Sequence, residues 1–307
     1  MSVSAELVRL WLRWSMKRSN HPGLPIAERR RRLARFETRV PDPPRGVEVL
    51  ERTLGGIGAL RVWTPALVPD RRILFLHGGA YVAGSAALYG HILWRFALAA
   101  KAEIVAIDYR LAPEHPFPAA LDDAVAAWLA LLGEGADPRC CAVVGDSAGG
   151  GLALALLLRL RDRRLPMPAA AAGLSPWTDL ALTGATLRTN AIRDPMLNID
   201  DVPIMAAHYL AGADPQNPYA SPLYGDLAGL PPVLIQVGSD ELLLDDSVRM
   251  AKRLRQARVE TELEIWPRMP HVWHAFAPIM PEARRAIERV GAFVRHHTAG
   301  EARAAAA

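Results

Sequence analysis

From residue 47 onward, short runs of β-branched and aliphatic residues alternate with longer stretches in which apolar residues recur at helical spacing. Eight runs read as strands: 47–54 and 59–63, an opening hairpin around Gly55, Gly56 and Gly58, then 73–76, 104–107, 142–144, 170–174, 233–237 and 261–265. Helices are expected near 88–100, 118–132, 148–164, 245–256 and 282–297. Strands alternating with helices predict the α/β class, a mostly parallel eight-stranded sheet with helices on both faces.

Two segments depart from this rhythm. The stretch 183–224 is rich in Pro and Asp, turns helical around 202–210, and separates two strands that would otherwise connect directly. It reads as an insertion over the carboxyl ends of the strands, where ligands of open parallel sheets bind, and there it can serve as part of a lid. Ahead of the sheet, Val3, Leu7, Leu10, Trp11 and Trp14 recur at helical spacing, with Arg9, Arg13 and Lys17 on another face. The expectation is that the Trp/Leu face packs on the body and the arginines are solvated, although the same pattern suits a helix lying on an anionic membrane. Pro25 marks the start of a second helix, with Arg29 to Arg32 on its polar side and Ile26, Leu33 and Phe36 on its apolar side. His296, His297 and the small-residue tail after them read as solvated and fraying.

Composition narrows the class. The 307 residues are 51% hydrophobic and 22% charged, enough apolar content for a large core. The longest apolar run, 151–158, stops at Arg159, far short of the roughly 18 to 20 residues that cross a bilayer. Arg9 and Arg13 interrupt any signal-peptide core, so a cytoplasmic location without stable membrane insertion is expected. Cys140 and Cys141 are adjacent, which offers neither a disulfide framework nor a Cys-rich metal site. The net charge of +4 is uneven: residues 1–45 carry eleven Lys/Arg against four Asp/Glu, leaving the rest at −3. No aromatic-interleaved basic sheet motif or Cys/His finger accompanies the basic run, which argues against nucleic acid as a partner.

The strongest chemical signal is Gly145-Asp146-Ser147-Ala148-Gly149, where an apolar strand runs directly into a long Leu/Ala helix. That context is a nucleophile elbow: the chain reverses within one residue, holds Ser147 exposed, and leaves no room for side chains two positions away. His77-Gly78-Gly79-Ala80 follows another buried strand and offers backbone N–H donors from Gly79 and Ala80, with Gly78 as a further candidate. Ala148 supplies one more, as an oxyanion hole requires. His77 itself reads as orienting the loop. A serine hydroxyl needs an imidazole base and a carboxylate to orient it. Asp240, just past the carboxyl end of a strand, is the favoured acid, with Asp245 and Asp246 as alternatives. His271 is the favoured base and His274 the alternative, both in the loop after the last strand, as the order Ser, acid, His demands.

These motifs, together with Asp108-Tyr-Arg-Leu-Ala-Pro-Glu-His115, Asp194-Pro-Met196 and Ser239-Asp-Glu-Leu-Leu-Leu-Asp-Asp-Ser247, resemble the bacterial hormone-sensitive-lipase-like esterases of the α/β-hydrolase superfamily over about residues 70–280. The resemblance implies the α/β-hydrolase fold, a triad on Ser147, Asp240 and His271, and an oxyanion hole on Gly79, Ala80 and Ala148. It also implies a cap built from 1–45 and 183–224 over a catalytic domain of 46–182 and 225–297, with 298–307 a flexible tail. Ala80 stands where many relatives carry a third glycine, and Arg110, Glu114 and their prolines read as scaffold near the oxyanion loop. The implied activity is a serine carboxylesterase that uses no cofactor and no metal, acting on small esters of short to medium acyl chain, and a homodimer is left open. Lactone hydrolysis by the same triad is the nearest alternative. A non-catalytic small-molecule receptor is the rival from another class, disfavoured because His271 is present.

Overall fold

Strands β1 (Glu48–Leu54), β2 (Ile57–Trp63), β3 (Arg72–Leu76), β4 (Glu103–Ile107), β5 (Cys141–Asp146), β6 (Ala170–Leu174), β7 (Val233–Gly238) and β8 (Thr261–Trp266) form one sheet in the order β1-β2-β4-β3-β5-β6-β7-β8. The structure is a computed structural model and describes residues 1–18, 21–38 and 40–298. Gly55 and Gly56 both have positive φ, which suits the tight turn that sets Leu54 opposite Ile57 in the antiparallel β1–β2 hairpin. β2 is also antiparallel to β4, and every pairing from β4 to β8 is parallel. The predicted strands stand within a few residues of these bounds.

The near-continuous apolar character of the central strands follows from burial on both faces. On β3, Leu74 and Leu76 join the core under α4 (Ala119–Gly133), α5 (Ala148–Asp162) and α8 (Leu244–Gln256). Ile73 and Phe75, pointing the other way, join the core under α1 (Val3–Leu12), α3 (Gly90–Ala100) and α9 (Pro281–His297). The remaining helices are α2 (Ile26–Glu37), the single turn α6 (Thr186–Thr189) and α7 (Val202–Leu210), the last of which spans the expected 202–210. Ile26 and Leu33 of α2 pack half-buried against the first core, while Phe36 stays exposed.

The packing of α1 is the reverse of the expectation. Ala5, Val8 and Leu12 are the residues that bury, and of the Trp/Leu row Val3, Leu7, Leu10 and Trp14 face solvent while Trp11 alone packs inward, against Phe276. The inner row is apolar too, and its small Ala5 sits fully buried beneath the helix. Arg9, expected in solvent, is buried because Asp240 meets its guanidinium at 2.8 Å and the Arg268 carbonyl accepts from it at 2.5 Å. His297 is packed against Phe293 rather than solvated, and Thr298 is buried with Arg71 donating to its hydroxyl at 2.8 Å. The rest of the expected flexible tail, 299–307, lies outside the described residues. Among the described residues, no helix is long and apolar enough to cross a membrane.

Candidate active site

At the end of β5 the chain turns into α5 through Ser147, whose φ of 51° and ψ of −120° lie in a region that side-chain-bearing residues rarely enter. The turn survives because its flanks are glycine: a Cβ at Gly145 would strike the Gly149 carbonyl, and one at Gly149 would strike the backbone of Leu76 and His77. Ser147 N–H donates to the Leu174 carbonyl at 2.8 Å, which ties the elbow to β6. The hydroxyl is left at the N-terminus of α5, where the helix dipole favours negative charge.

His271 reaches this hydroxyl from the loop after β8. Its Nε2 lies 2.8 Å from Ser147 Oγ, and its Nδ1 lies 2.8 Å from Glu241 Oε2. The acid facing the histidine is therefore Glu241, and Asp240 is not. After Gly238 the chain leaves the strand in a turn, so the side chain of residue 240 points out to Arg9 of α1 while that of 241 points in. The second Glu241 oxygen accepts from Gly238 N–H at 2.5 Å and from Ser175 Oγ at 2.7 Å, and Ser175 Oγ in turn accepts from Val272 N–H at 3.2 Å. One serine hydroxyl thus joins the acid to the histidine loop. Asp194 and Asn190, from the 183–224 segment, hold the same turn: Asp194 accepts from Leu242 N–H at 2.8 Å, and Asn190 donates to the carbonyls of Ser239 and Glu241.

Neither alternative acid approaches the ring. Asp245 accepts from Ala185 and Thr186, and Asp246 is buried against the N–H groups of Thr178 and Asp179. His274 is buried with Nε2 on Gln236 Oε1, and burial drives its pKa down to about 3, which describes a neutral core residue. His271 differs. Burial acts strongly against its charge, but the hydrogen bond and charge of Glu241, helped by Asp194 and Asp146, outweigh it and raise its pKa above the ordinary histidine value. Burial pushes Glu241 upward in turn, opposed by His271, Gly238 N–H and Ser175.

The His77–Ala80 loop faces the same hydroxyl. Gly78 does not serve as a donor there, because its N–H is taken by Asp146 Oδ1 at 2.9 Å and by the Tyr89 hydroxyl at 3.1 Å, while Tyr89 donates to Asp146 Oδ2 at 2.8 Å. The N–H groups of Gly79, Ala80 and Ala148 carry no hydrogen bond among the described residues. Ala80 does adopt positive φ, 56°, and the loop accommodates an alanine there. His77 donates from Nδ1 to the Gly78 carbonyl at 2.7 Å and stacks on Tyr109, a positioning role as expected. Arg110 pairs with Asp123, and Glu114 is clamped by Arg30 of α2, which also donates to the carbonyls of Val82 and Ala112 beyond the loop. Ser147 and His271 open into a cavity of about 870 Å³ walled by Trp11, Leu33, Phe36, Met196, Val202 and Phe276, among others. The N-terminal helices and the 183–224 segment both contribute to it.

A nucleophile, a base, an acid and free N–H donors around one apolar cavity can attack a carbonyl and hold the oxyanion that results. A family model described as the alpha/beta hydrolase fold matches residues 73–275, from β3 through the elbow to just past His271. The chain belongs to the α/β-hydrolase family. Among relatives of this hydrolase are an acetyl-hydrolase of Streptomyces hygroscopicus, 49% identical over 234 residues that cover 76% of this chain and 78% of that one. Another is carboxylesterase NlhH of Mycobacterium tuberculosis, 34% identical over 285 residues and 87% of each chain. A solved esterase from the bacterial hormone-sensitive lipase family aligns with a TM-score of 0.91 at 43% identity, over 97% of this chain and 99% of that one. Within the superfamily the hydrolase is a hormone-sensitive-lipase-like esterase.

Four residues of the candidate site escaped the sequence reading: Glu241, Ser175, and the Asp146–Tyr89 pair that anchors the His77–Ala80 loop. Only Glu241 left a usable signal, since a glutamate adjoining the favoured aspartate has one more methylene of reach and the triad accepts either acid. The geometry makes a direct prediction for the ring. Glu241→Gln removes the charge that raises His271 while leaving its burial, so the His271 pKa falls; Asp240→Asn leaves it near the wild-type value. Proton NMR titration of the His271 ring checks both.

Proposed function

We propose that the protein is a serine carboxylesterase in which Ser147, His271 and Glu241 form the triad and the N–H groups of Gly79, Ala80 and Ala148 form the oxyanion hole. The observation that carries this reading is the unbroken line Ser147 Oγ, His271 Nε2, His271 Nδ1, Glu241 Oε2, with both contacts at 2.8 Å. Ser147 attacks the acyl carbon as His271 Nε2 takes its proton. The three N–H groups hold the anionic carbonyl oxygen, and Glu241 stabilises the imidazolium. His271 then protonates the departing alcohol, and a water activated by the same ring releases the acid from the acyl-enzyme. The apolar walls suit the acyl part of an ester. The name of one relative, acetyl-hydrolase, points to short acyl chains, and the cavity of about 870 Å³ has room for medium ones.

In this reading residues 1–45 and 183–224 act as a cap, since both wall the cavity around Ser147. The protein works in the cytoplasm on small-molecule esters. Self-association as a homodimer finds support in β8, an edge strand paired only with β7 among the described residues, where Ile265 is exposed.

Ser147→Ala is expected to cut kcat on a chromogenic butyrate ester by about 10⁴-fold or more, and residual turnover within tenfold of wild type would overturn the serine assignment. His271→Ala should inactivate to a similar degree, whereas His274→Ala should keep substantial rate if the variant folds. A panel of esters graded by chain length, with lactones included, reads out the acyl preference.

The pH dependence follows from the neutral ring being the base. Because His271 is raised, kcat/KM falls as pH drops through a midpoint above the ordinary histidine value. Glu241→Gln should shift that limb to lower pH and lower its plateau by about 10⁴-fold, as loss of the triad acid does elsewhere, while Asp240→Asn keeps both. Asp146→Ala frees Gly78 and the loop it anchors. It is expected to reduce kcat by up to about 10²-fold, the low end for losing an oxyanion donor, with little change in KM.

A further inference from the structure

The outer face of α1 is an apolar row that nothing covers among the described residues. Val3, Leu7, Leu10 and Trp14 are 78%, 61%, 62% and 71% exposed, and their spacing of four, three and four residues sets them in one line along the helix. At about 100° per residue, that line centres about 160° from the buried Ala5, Val8 and Leu12, so the row is not an edge of the buried face but lies nearly opposite it. Trp14 stands in the widened turn Arg13–Lys17 that continues the helix. Beside that turn lies Ile192, 85% exposed, with Arg13 donating to the carbonyls of Ile192 and Arg193. On the other side Trp11 bridges the row to the cavity mouth, packing edge-on against Phe276. An apolar strip thus runs from solvent to the entrance of the active site.

Charge distinguishes between occupants. The segment 1–45 carries a net +7; Arg9, Arg29, Arg30 and Arg31 are paired with Asp240, Asp201, Glu114 and Glu28, and the cations exposed beside the turn that holds Trp14 are Arg13, Arg18 and, from the insertion, Arg193. A second copy seated on the row in a two-fold contact would press two such basic segments together. An anionic lipid surface meets the same cations with opposite charge, and takes up an apolar row bearing a tryptophan at the depth of its headgroups. A ten-residue helix is about 15 Å long and lies in the interfacial plane rather than across the bilayer.

We propose that the outer face of α1 seats this protein on an anionic lipid–water interface, with the cavity mouth beside the contact. Docking itself does not depend on the esterase reading; only its purpose, access to esters dissolved in the interface, rests on it.

The test uses the full chain in flotation with vesicles of phosphatidylcholine alone and with about one third phosphatidylglycerol. Wild type is expected to float with the anionic vesicles and at least about tenfold less with the neutral ones, and to be released when salt rises from about 0.1 M to 1 M. Leu10→Ser with Trp14→Ser should lower anionic-vesicle binding by about tenfold or more while hydrolysing a water-soluble butyrate ester at the wild-type rate. Arg18→Glu with Arg193→Glu, which spares the apolar row, should weaken binding to anionic vesicles only. Absence of wild-type flotation, or equal flotation of the Leu10/Trp14 variant, overturns the proposal. So does sedimentation showing self-association that the Leu10/Trp14 variant abolishes, which would make a second copy the occupant. Flotation as expected by a protein inert on every ester would instead count against the esterase reading and leave the docking intact.

Discussion

The buried carboxylate of Glu241 is the constraint around which the site is organised. A carboxylate taken fully out of water is unstable unless its oxygens find donors. Here one oxygen meets His271, and the other meets both Gly238 N–H and the Ser175 hydroxyl. Each donor comes from a different place: the end of β7, the turn after β6 and the loop after β8. Satisfying one charge therefore fixes three segments relative to one another, and the position of the imidazole follows. The ring spans the gap to Ser147, and its raised pKa comes from the acid that holds it, working against burial.

The second half of the machinery depends on another buried acid. Asp146 immediately precedes the nucleophile and takes the N–H of Gly78, so the elbow and the oxyanion loop share a joint. Burial raises the Asp146 pKa to about 6, against the donors from Tyr89 and Gly78. A Cβ at Gly78 would collide with that carboxylate, which explains why glycine is needed at a position that donates nothing to the substrate. The glycines of this loop thus divide the work: Gly78 makes room for the anchor, and Gly79 with Ala80 presents the open N–H groups.

Legibility in the sequence followed the range of the interactions. The central strands were readable because burial on both faces writes itself as short continuous apolar runs, and the elbow because a strand, one strained serine and a helix must follow in direct succession. His271 was readable from its order along the chain. Asp240 against Glu241 was not, because beyond Gly238 strand alternation no longer decides which way a side chain points. The contacts that distinguish them are long-range: Glu241 meets Ser175 and His271, and Asp240 meets Arg9, a residue from the opposite end of the chain whose burial no local pattern shows. The same holds for α1. Its heaviest apolar residues form the visible row, while the contact that docks it is made by Ala5, Val8 and Leu12, a lighter row beside a buried arginine. Helical periodicity counts apolar weight, and packing against a crowded surface selects for fit.

The misread aspartate has a physical role. Arg9–Asp240 fastens α1 to the turn that carries Glu241, and Asp194 and Asn190 fasten the 183–224 segment to the same turn. Both walls of the cavity are thereby tied within two residues of the proposed triad acid, by the Asp240 side chain on one hand and by backbone groups of 239, 241 and 242 on the other. A rigid acid turn therefore positions the chemistry inward and the substrate walls outward. Loosening the Arg9–Asp240 tie would disturb how an ester is held before it disturbed proton transfer, because neither residue bonds the Glu241 carboxylate, whereas loosening Asp194 would also remove a charge that raises His271.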